Sequence, residues 1–144
     1  ITFRKELTLD LGGLTARIFW VDSDHSADCC VVQLVEEGVV FLGDCLYLNM
    51  DHEPWFRTPG RTRRLMSVLT ALNAGWYVPA HHGVYSGEEF RRFARGMSDL
   101  CQAAEGAETL EQAEDSLRRL TGRALCEEDR QGLEEFLNAK AHRA

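Results

Sequence analysis

His25, Asp44 and the pair His81-His82 are the positions in this sequence whose types and setting could hold a metal ion. Imidazole nitrogen and carboxylate oxygen are the ligands that zinc takes in a catalytic site that keeps one position open to water. His25 stands in "DHSADCCVV", just before a strongly apolar run. Asp44 ends the run "VVFLGD", and the two histidines follow a short apolar piece in "YVPAHHG". Taken singly, each has a plainer reading: a turn histidine, a turn acid after Gly43, and solvent-facing histidines in a Pro and Gly loop. Their shared setting at strand ends favours a common site, because neighbouring strands of one sheet bring their ends together.

The elements that must position these groups can be read from hydrophobic periodicity. Phe3, Leu7, Leu9 and Leu11 alternate on odd positions, Leu14, Ala16, Ile18 and Trp20 on even ones, and Gly12-Gly13 joins them in a tight turn. A second strand pair, Cys29 to Val35 and Val39 to Leu42, is apolar almost throughout and is expected to be covered on both faces. After residue 57 the period becomes helical. Thr58-Pro59 starts a helix carrying Leu65, Val68, Leu69 and Leu72, with Gly75 as the expected left-handed stop. A short strand follows from Trp76 to Val78. Ser86 and Glu89 then form a capping box for a helix with the stripe Phe90, Phe93, Ala94, Met97, Leu100 and Cys101. Beyond Gly106, Leu110, Ala113, Leu117 and Leu120 mark one helix and Leu133, Phe136 and Leu137 another. The division expected is an α/β body over residues 1–106 and a helical hairpin over residues 107–144.

Composition limits the partners. A chain of 144 residues with 44% hydrophobic content can build one real core. Sixteen basic against 23 acidic residues leave a formal charge of −7, which disfavours nucleic acid and anionic membranes, although Arg57, Arg61, Arg63 and Arg64 form a local basic cluster able to meet an anion. No apolar run approaches the roughly 20 residues needed to span a bilayer. Five cysteines without a CxxC pair argue against a disulfide framework or a zinc knuckle. Cys29 and Cys30 read as buried thiols of a reducing compartment, so a soluble, cytoplasmic protein is expected.

The segment "DHSADCCVVQLVEEGVVFLGDCLY" resembles the part of metallo-β-lactamase-fold hydrolases in which a metal-binding histidine precedes a strand hairpin ending in Gly-Asp. "YVPAHHG" is similar to the later Pro-Gly-His-Gly loop of that superfamily. The resemblance covers about residues 1 to 90. It implies an α/β fold, the second half of an αβ/βα sandwich. It further implies that His25 binds a first metal, that Asp44 bridges two metals and is the catalytic carboxylate, and that His81 binds the second, with His82 as rival. The motif H-x-H-x-D-H, which supplies the remaining ligands in the superfamily, is absent: the histidines are His25, His52, His81, His82 and His142. Together with the start at Ile1, this leads to the expectation of a C-terminal half that works with a missing N-terminal half or a self-partner. Two zinc ions are expected in the complete protein, and weak or no binding by this chain alone.

The activity implied is hydrolysis by metal-activated water of a small ester, thioester, lactone or lactam. The alternative is a metal-free interaction module with a degenerate site. Other residues stay open between roles: Asp28 as acceptor for a ligand histidine or as a turn cap, His52 on the rim, and Trp55, Phe56 and Tyr85 as pocket walls or hydrophobic plugs.

Overall fold

A computed structural model of the protein describes residues 2–51 and 53–142. His52 lies outside the described residues. The chain order is β1 (Glu6–Asp10), β2 (Thr15–Trp20), β3 (Cys30–Leu34), β4 (Val39–Gly43), α1 (Pro59–Ala71), β5 (Trp76–Pro79), β6 (Tyr85–Ser86), α2 (Gly87–Glu105), α3 (Leu110–Thr121) and α4 (Glu127–Ala141). The strands form one six-stranded sheet in sequential order. All neighbours are antiparallel except β4 and β5, which run parallel because α1 returns the chain between them.

One face of the sheet makes the core. Val31, Val40, Leu42 and Tyr77 point to the helices and pack with Leu65 and Leu69 of α1, Phe90 and Cys101 of α2, Leu117 of α3 and Phe136 of α4. Burying each of the larger side chains stabilises the fold by roughly 1.5–3 kcal/mol relative to leaving it exposed. Tyr77 stacks on Phe90 at 3.9 Å between ring centroids, and its hydroxyl donates to the Leu69 carbonyl at 3.0 Å. That bond fixes β5 against the end of α1. The helical hairpin α3–α4 shares this core with the sheet and α2.

The other face is apolar and lacks a helix. Register places Leu7, Ile18, Val32, Phe41 and Val78 in one row across five strands, and Leu9, Ala16, Leu34, Val39 and Trp76 in the next. None of the ten belongs to the helix-facing core, and Phe41 and Trp76 are 43% and 52% exposed. The expectation that β3 and β4 are covered on both faces therefore fails, since all the helix packing falls on one side. Along β1 to β3 the residues of these rows are half-buried and Ala16 is buried, so the openness of this face is concentrated at Phe41 and Trp76.

Two smaller expectations are corrected. Helix α1 stops through Asn73, at φ 48°, and not at Gly75, whose amide instead donates to Gly38 at 2.8 Å and starts the pairing of β5; asparagine tolerates the left-handed region because its short polar side chain bonds locally. Cys29 and Cys30 are only half-buried, whereas Cys45 and Cys101 are the fully enclosed thiols. Burial pushes Cys45 up to about 12 and Cys101 up to about 11, so neither is a nucleophile near neutral pH. The N-terminal capping box of α2 forms as expected: Glu89 N–H donates to Ser86 Oγ, and Ser86 N–H to Glu89 Oε2 at 2.8 Å.

Candidate metal centre

Sheet topology explains why three distant residues meet. Parallel β4 and β5 end on the same side, with Gly43 paired to Pro79 and the Ala80 amide donating to the Gly43 carbonyl at 3.1 Å. Antiparallel β3 begins there, so the loop that precedes it lies on that side too. Sites in parallel sheets form beyond the carboxyl ends of strands for this reason. Gly43 makes the final adjustment. At φ 53°, where the register of β4 and β5 shifts, it turns the chain so that Asp44 leaves the sheet plane.

Asp44 is the hub. Its Oδ1 lies 3.4 Å from Nε2 of His81, and its Oδ2 lies 3.9 Å from Nε2 of His25. Each carboxylate oxygen thus faces a different imidazole. Oδ1 is enclosed yet has no hydrogen-bond partner, the His81 approach being a contact without hydrogen-bond alignment. An enclosed carboxylate oxygen left without a donor is costly unless a cation occupies the space beside it. Ligands about 2.1 Å from a tetrahedral zinc stand about 3.4 Å from one another, and the Asp44–His81 separation fits that spacing while the His25 separation is wider.

The loop from Val21 to Cys29 holds His25 in place. Val21 N–H donates to Cys29 at 3.0 Å and Trp20 Nε1 to Ala27 at 2.8 Å, which close the loop at its base. Inside it, the Ser23 hydroxyl donates to the Cys45 carbonyl at 2.9 Å and accepts from the His25 amide at 3.1 Å. His25 Nδ1 contacts the Leu48 carbonyl at 3.3 Å. A carbonyl only accepts, so this contact puts the ring proton on Nδ1 and leaves the Nε2 lone pair towards Asp44. Metal-binding histidines are oriented in this way.

Tyr47 completes the wall. Its ring centroid lies 6.0 Å from that of His25, 5.6 Å from His81 and 5.1 Å from His82. Its hydroxyl is enclosed without a hydrogen-bond partner, and desolvation, with the Asp44 charge adding to it, pushes the phenol upward. Tyr47, Ser23 and Asp24 were missed by sequence reasoning. Asp24 is buried, accepts from the Thr58 amide at 2.7 Å and so ties the His25 loop to the start of α1. The signal available was position alone, directly before His25 and three residues after Asp44.

His81, not His82, is the histidine that the structure brings to Asp44. His82 faces Tyr47 and a groove between α2 and α4. Asp28 accepts from the Ser26 hydroxyl within its own turn and, among the described residues, orients no histidine. Phe56 stacks on His142 at 4.4 Å and Tyr85 on Phe93 at 5.5 Å, so both act as plugs. The basic cluster is neutralised: Arg57 pairs with Glu135, Arg61 with Asp22 and Asp24, Arg63 with Glu105 and Arg64 with Asp22. It has no charge to spare for an anion. Among the described residues, no group of three or more His, Cys, Asp and Glu is arranged to hold a metal ion by itself. The three residues at the sheet end therefore fit part of a metal site, in donor type and in the orphaned oxygen.

No protein-family model matches the sequence, and no curated protein matches it. Solved structures match in fold. A metallo-beta-lactamase superfamily protein from the archaeon Sulfolobus tokodaii aligns with 99% of this chain and 51% of its own, at 14% identity and a TM-score of 0.51. A metallo-beta-lactamase family protein from Thermus thermophilus aligns over 94% of this chain and 46% of its own, at 21% identity and a TM-score of 0.52. A chemotaxis sensor, ODP, described as a peroxy diiron species, aligns over 65% of this chain and 49% of its own, at 15% identity and a TM-score of 0.53. The fold is that of metallo-β-lactamase superfamily proteins, and the chain spans about half the length of the solved structures it matches. No described helix is long and apolar enough to cross a membrane.

Proposed function

We propose that this chain is the C-terminal half of a metal-dependent hydrolase, with His25 and His81 as metal ligands and Asp44 as the carboxylate between them. The observation that carries this reading is the enclosed, unpartnered Oδ1 of Asp44, set between two imidazoles at the end of β4. The metallo-β-lactamase fold and the length of the neighbours relative to this chain support it.

The nitrogen and carboxylate donors suit zinc; the diiron description of one structural neighbour makes iron the competing metal. When bound, such an ion would acidify a water and polarise a carbonyl oxygen. The chain's own contributions are separate. Asp44 offers one oxygen to each side, and the Leu48 carbonyl holds the His25 ring so that Nε2 points inward. Tyr47 lies beside the three imidazoles, and the Asp44 oxygen is enclosed away from water. Three donors are too few for two metals, so the remaining ligands come from a partner bearing H-x-H-x-D-H, seated on the open apolar face of the sheet. The substrate class proposed is a small uncharged ester, thioester, lactone or lactam.

The test is metal content and hydrolysis of a chromogenic ester. Supplied with a half bearing H-x-H-x-D-H, the chain is expected to hold about two metal equivalents and to turn over the ester, and the Asp44→Ala variant to do neither. Absence of metal from the reconstituted protein would overturn the reading and leave a metal-free interaction module. Metal-dependent turnover by the chain alone would show that the partner is unnecessary.

A further inference from the structure

A groove of about 450 Å³ opens between α2 and α4, with His82 at one end. Its walls are Phe93, Gly96, Met97, Leu100 and Gly132. The volume lies within the range of small-molecule pockets. His82 is next in sequence to His81, and its ring lies 5.1 Å from Tyr47, the residue that walls the candidate metal centre. His82 is thus the groove's link to that centre, whose own His25, Asp44, Tyr47 and His81 do not line it.

Its two glycines have different reasons to be there. Both lie in helix interiors, where glycine is unfavourable relative to alanine. At Gly132 packing requires it, since a Cβ would stand 2.9 Å from Leu100 Cδ1. At Gly96 a Cβ would meet nothing within 4 Å. Neither packing nor a positive φ explains Gly96. What its missing side chain does is keep the groove open.

The charges around the groove set what enters. Arg57 is held by Glu135 at 2.8 Å and by the Leu46 carbonyl, and Asp129 is held by Arg123. Glu128 adds a further negative charge at the rim. Among the described residues that line the groove no arginine or lysine is left unpaired, so a carboxylate or phosphate finds no fixed cation there.

We propose that this groove binds an uncharged apolar chain of the substrate whose reacting group lies at the His25–Asp44–His81 centre. The proposal rests on the hydrolase reading for the identity of the reacting group. The groove's binding of a neutral chain can be measured without it.

The experiment is a nuclear magnetic resonance titration of the 144-residue chain with hexanamide, and with hexanoate as the charged counterpart. Hexanamide is expected to shift the amides of Gly96 and Gly132, the Met97 methyl and the His82 ring, and hexanoate to bind at least several-fold more weakly. Gly96→Leu, whose Cβ would meet nothing within 4 Å, should weaken hexanamide binding by tenfold or more while the circular dichroism melt is kept. Gly96→Ala, a smaller addition that favours the helix, should weaken it less. Shifts confined to the open sheet face around Phe41 and Trp76, or unchanged binding in both Gly96 variants, would overturn the proposal. So would hexanoate binding as well as hexanamide. A parallel zinc titration separates the two readings. Hexanamide binding with no zinc response at His25 and His81, when zinc is titrated into the chain reconstituted with a half bearing H-x-H-x-D-H, sinks the hydrolase reading and leaves the groove standing, and the reverse pattern sinks the groove alone.

Discussion

Oδ1 of Asp44 stands 3.4 Å from Nε2 of His81, although the whole of helix α1 separates the two residues along the chain. Parallel pairing of β4 with β5 makes this approach possible, and the positive φ of Gly43 aims it. The oxygen accepts no hydrogen bond despite its enclosure. Asp44 therefore contributes little to the metal-free fold. Asp44→Ala is expected to leave the urea unfolding free energy of the metal-free chain unchanged or to raise it by about 1 kcal/mol, while the zinc affinity of the protein reconstituted with a half bearing H-x-H-x-D-H, measured by calorimetry, falls at least tenfold. A large loss of stability in the metal-free variant would mean that Asp44 is a structural residue.

The open face of the sheet should behave as an unpaired interface. Phe41 and Trp76 head two apolar rows that cross five strands. Helix-free apolar rows of this kind, half-buried and carrying two exposed large side chains, mark an interaction site. The chain is expected to bind a hydrophobic dye and to self-associate in sedimentation, and Phe41→Lys to reduce both. A monomer that binds no dye would show that the face is closed by another route.

Gly87 and Gly106 stand at opposite ends of α2 and should respond oppositely to alanine. A Cβ at Gly87 would run into the Ala74 carbonyl, a backbone atom that cannot swing aside, whereas one at Gly106 meets nothing within 4 Å. Gly87 also donates to the Gly75 carbonyl at 2.7 Å, which joins α2 to the start of β5. Gly87→Ala is expected to cost about 1–3 kcal/mol. Gly106→Ala should be close to neutral in the same urea denaturation series.

Acid should loosen the start of α4. The Arg123 guanidinium holds Asp129 well below the usual carboxylate range, and the Cys126 amide, which donates to Asp129 at 2.9 Å, acts in the same direction. For a depressed carboxyl the stabilisation is complete above the unfolded value of 3.8 and is lost as pH falls below it. Allowing for solvent screening of the half-exposed Arg123, the contribution is about 1 kcal/mol. Thermal melts of the chain and of Arg123→Gln should therefore differ at pH 6 and converge towards pH 2. A difference that stays constant with pH would remove the ion pair as its cause.

Local information was enough for the elements. Alternation in β1 and β2, the Ser86–Glu89 capping box and the stripe of α2 depend on residues within a turn or two of one another, so the sequence alone determines them. The strand-end setting of His25, Asp44 and His81 was legible for the same reason, since each follows or precedes a short apolar run. Tertiary structure decided what those groups meet. It brought His81 and not His82 to Asp44, because only strand direction at Pro79 determines which of two adjacent side chains turns inward. It committed the charges of Arg57, Arg61, Arg63 and Arg64 to Asp22, Asp24, Glu105 and Glu135, partners far off in sequence that no local pattern could name. It also put every helix on one face of the sheet, a choice that apolar strands read as two-sided cannot reveal, because burial belongs to the assembled surface and not to the strand.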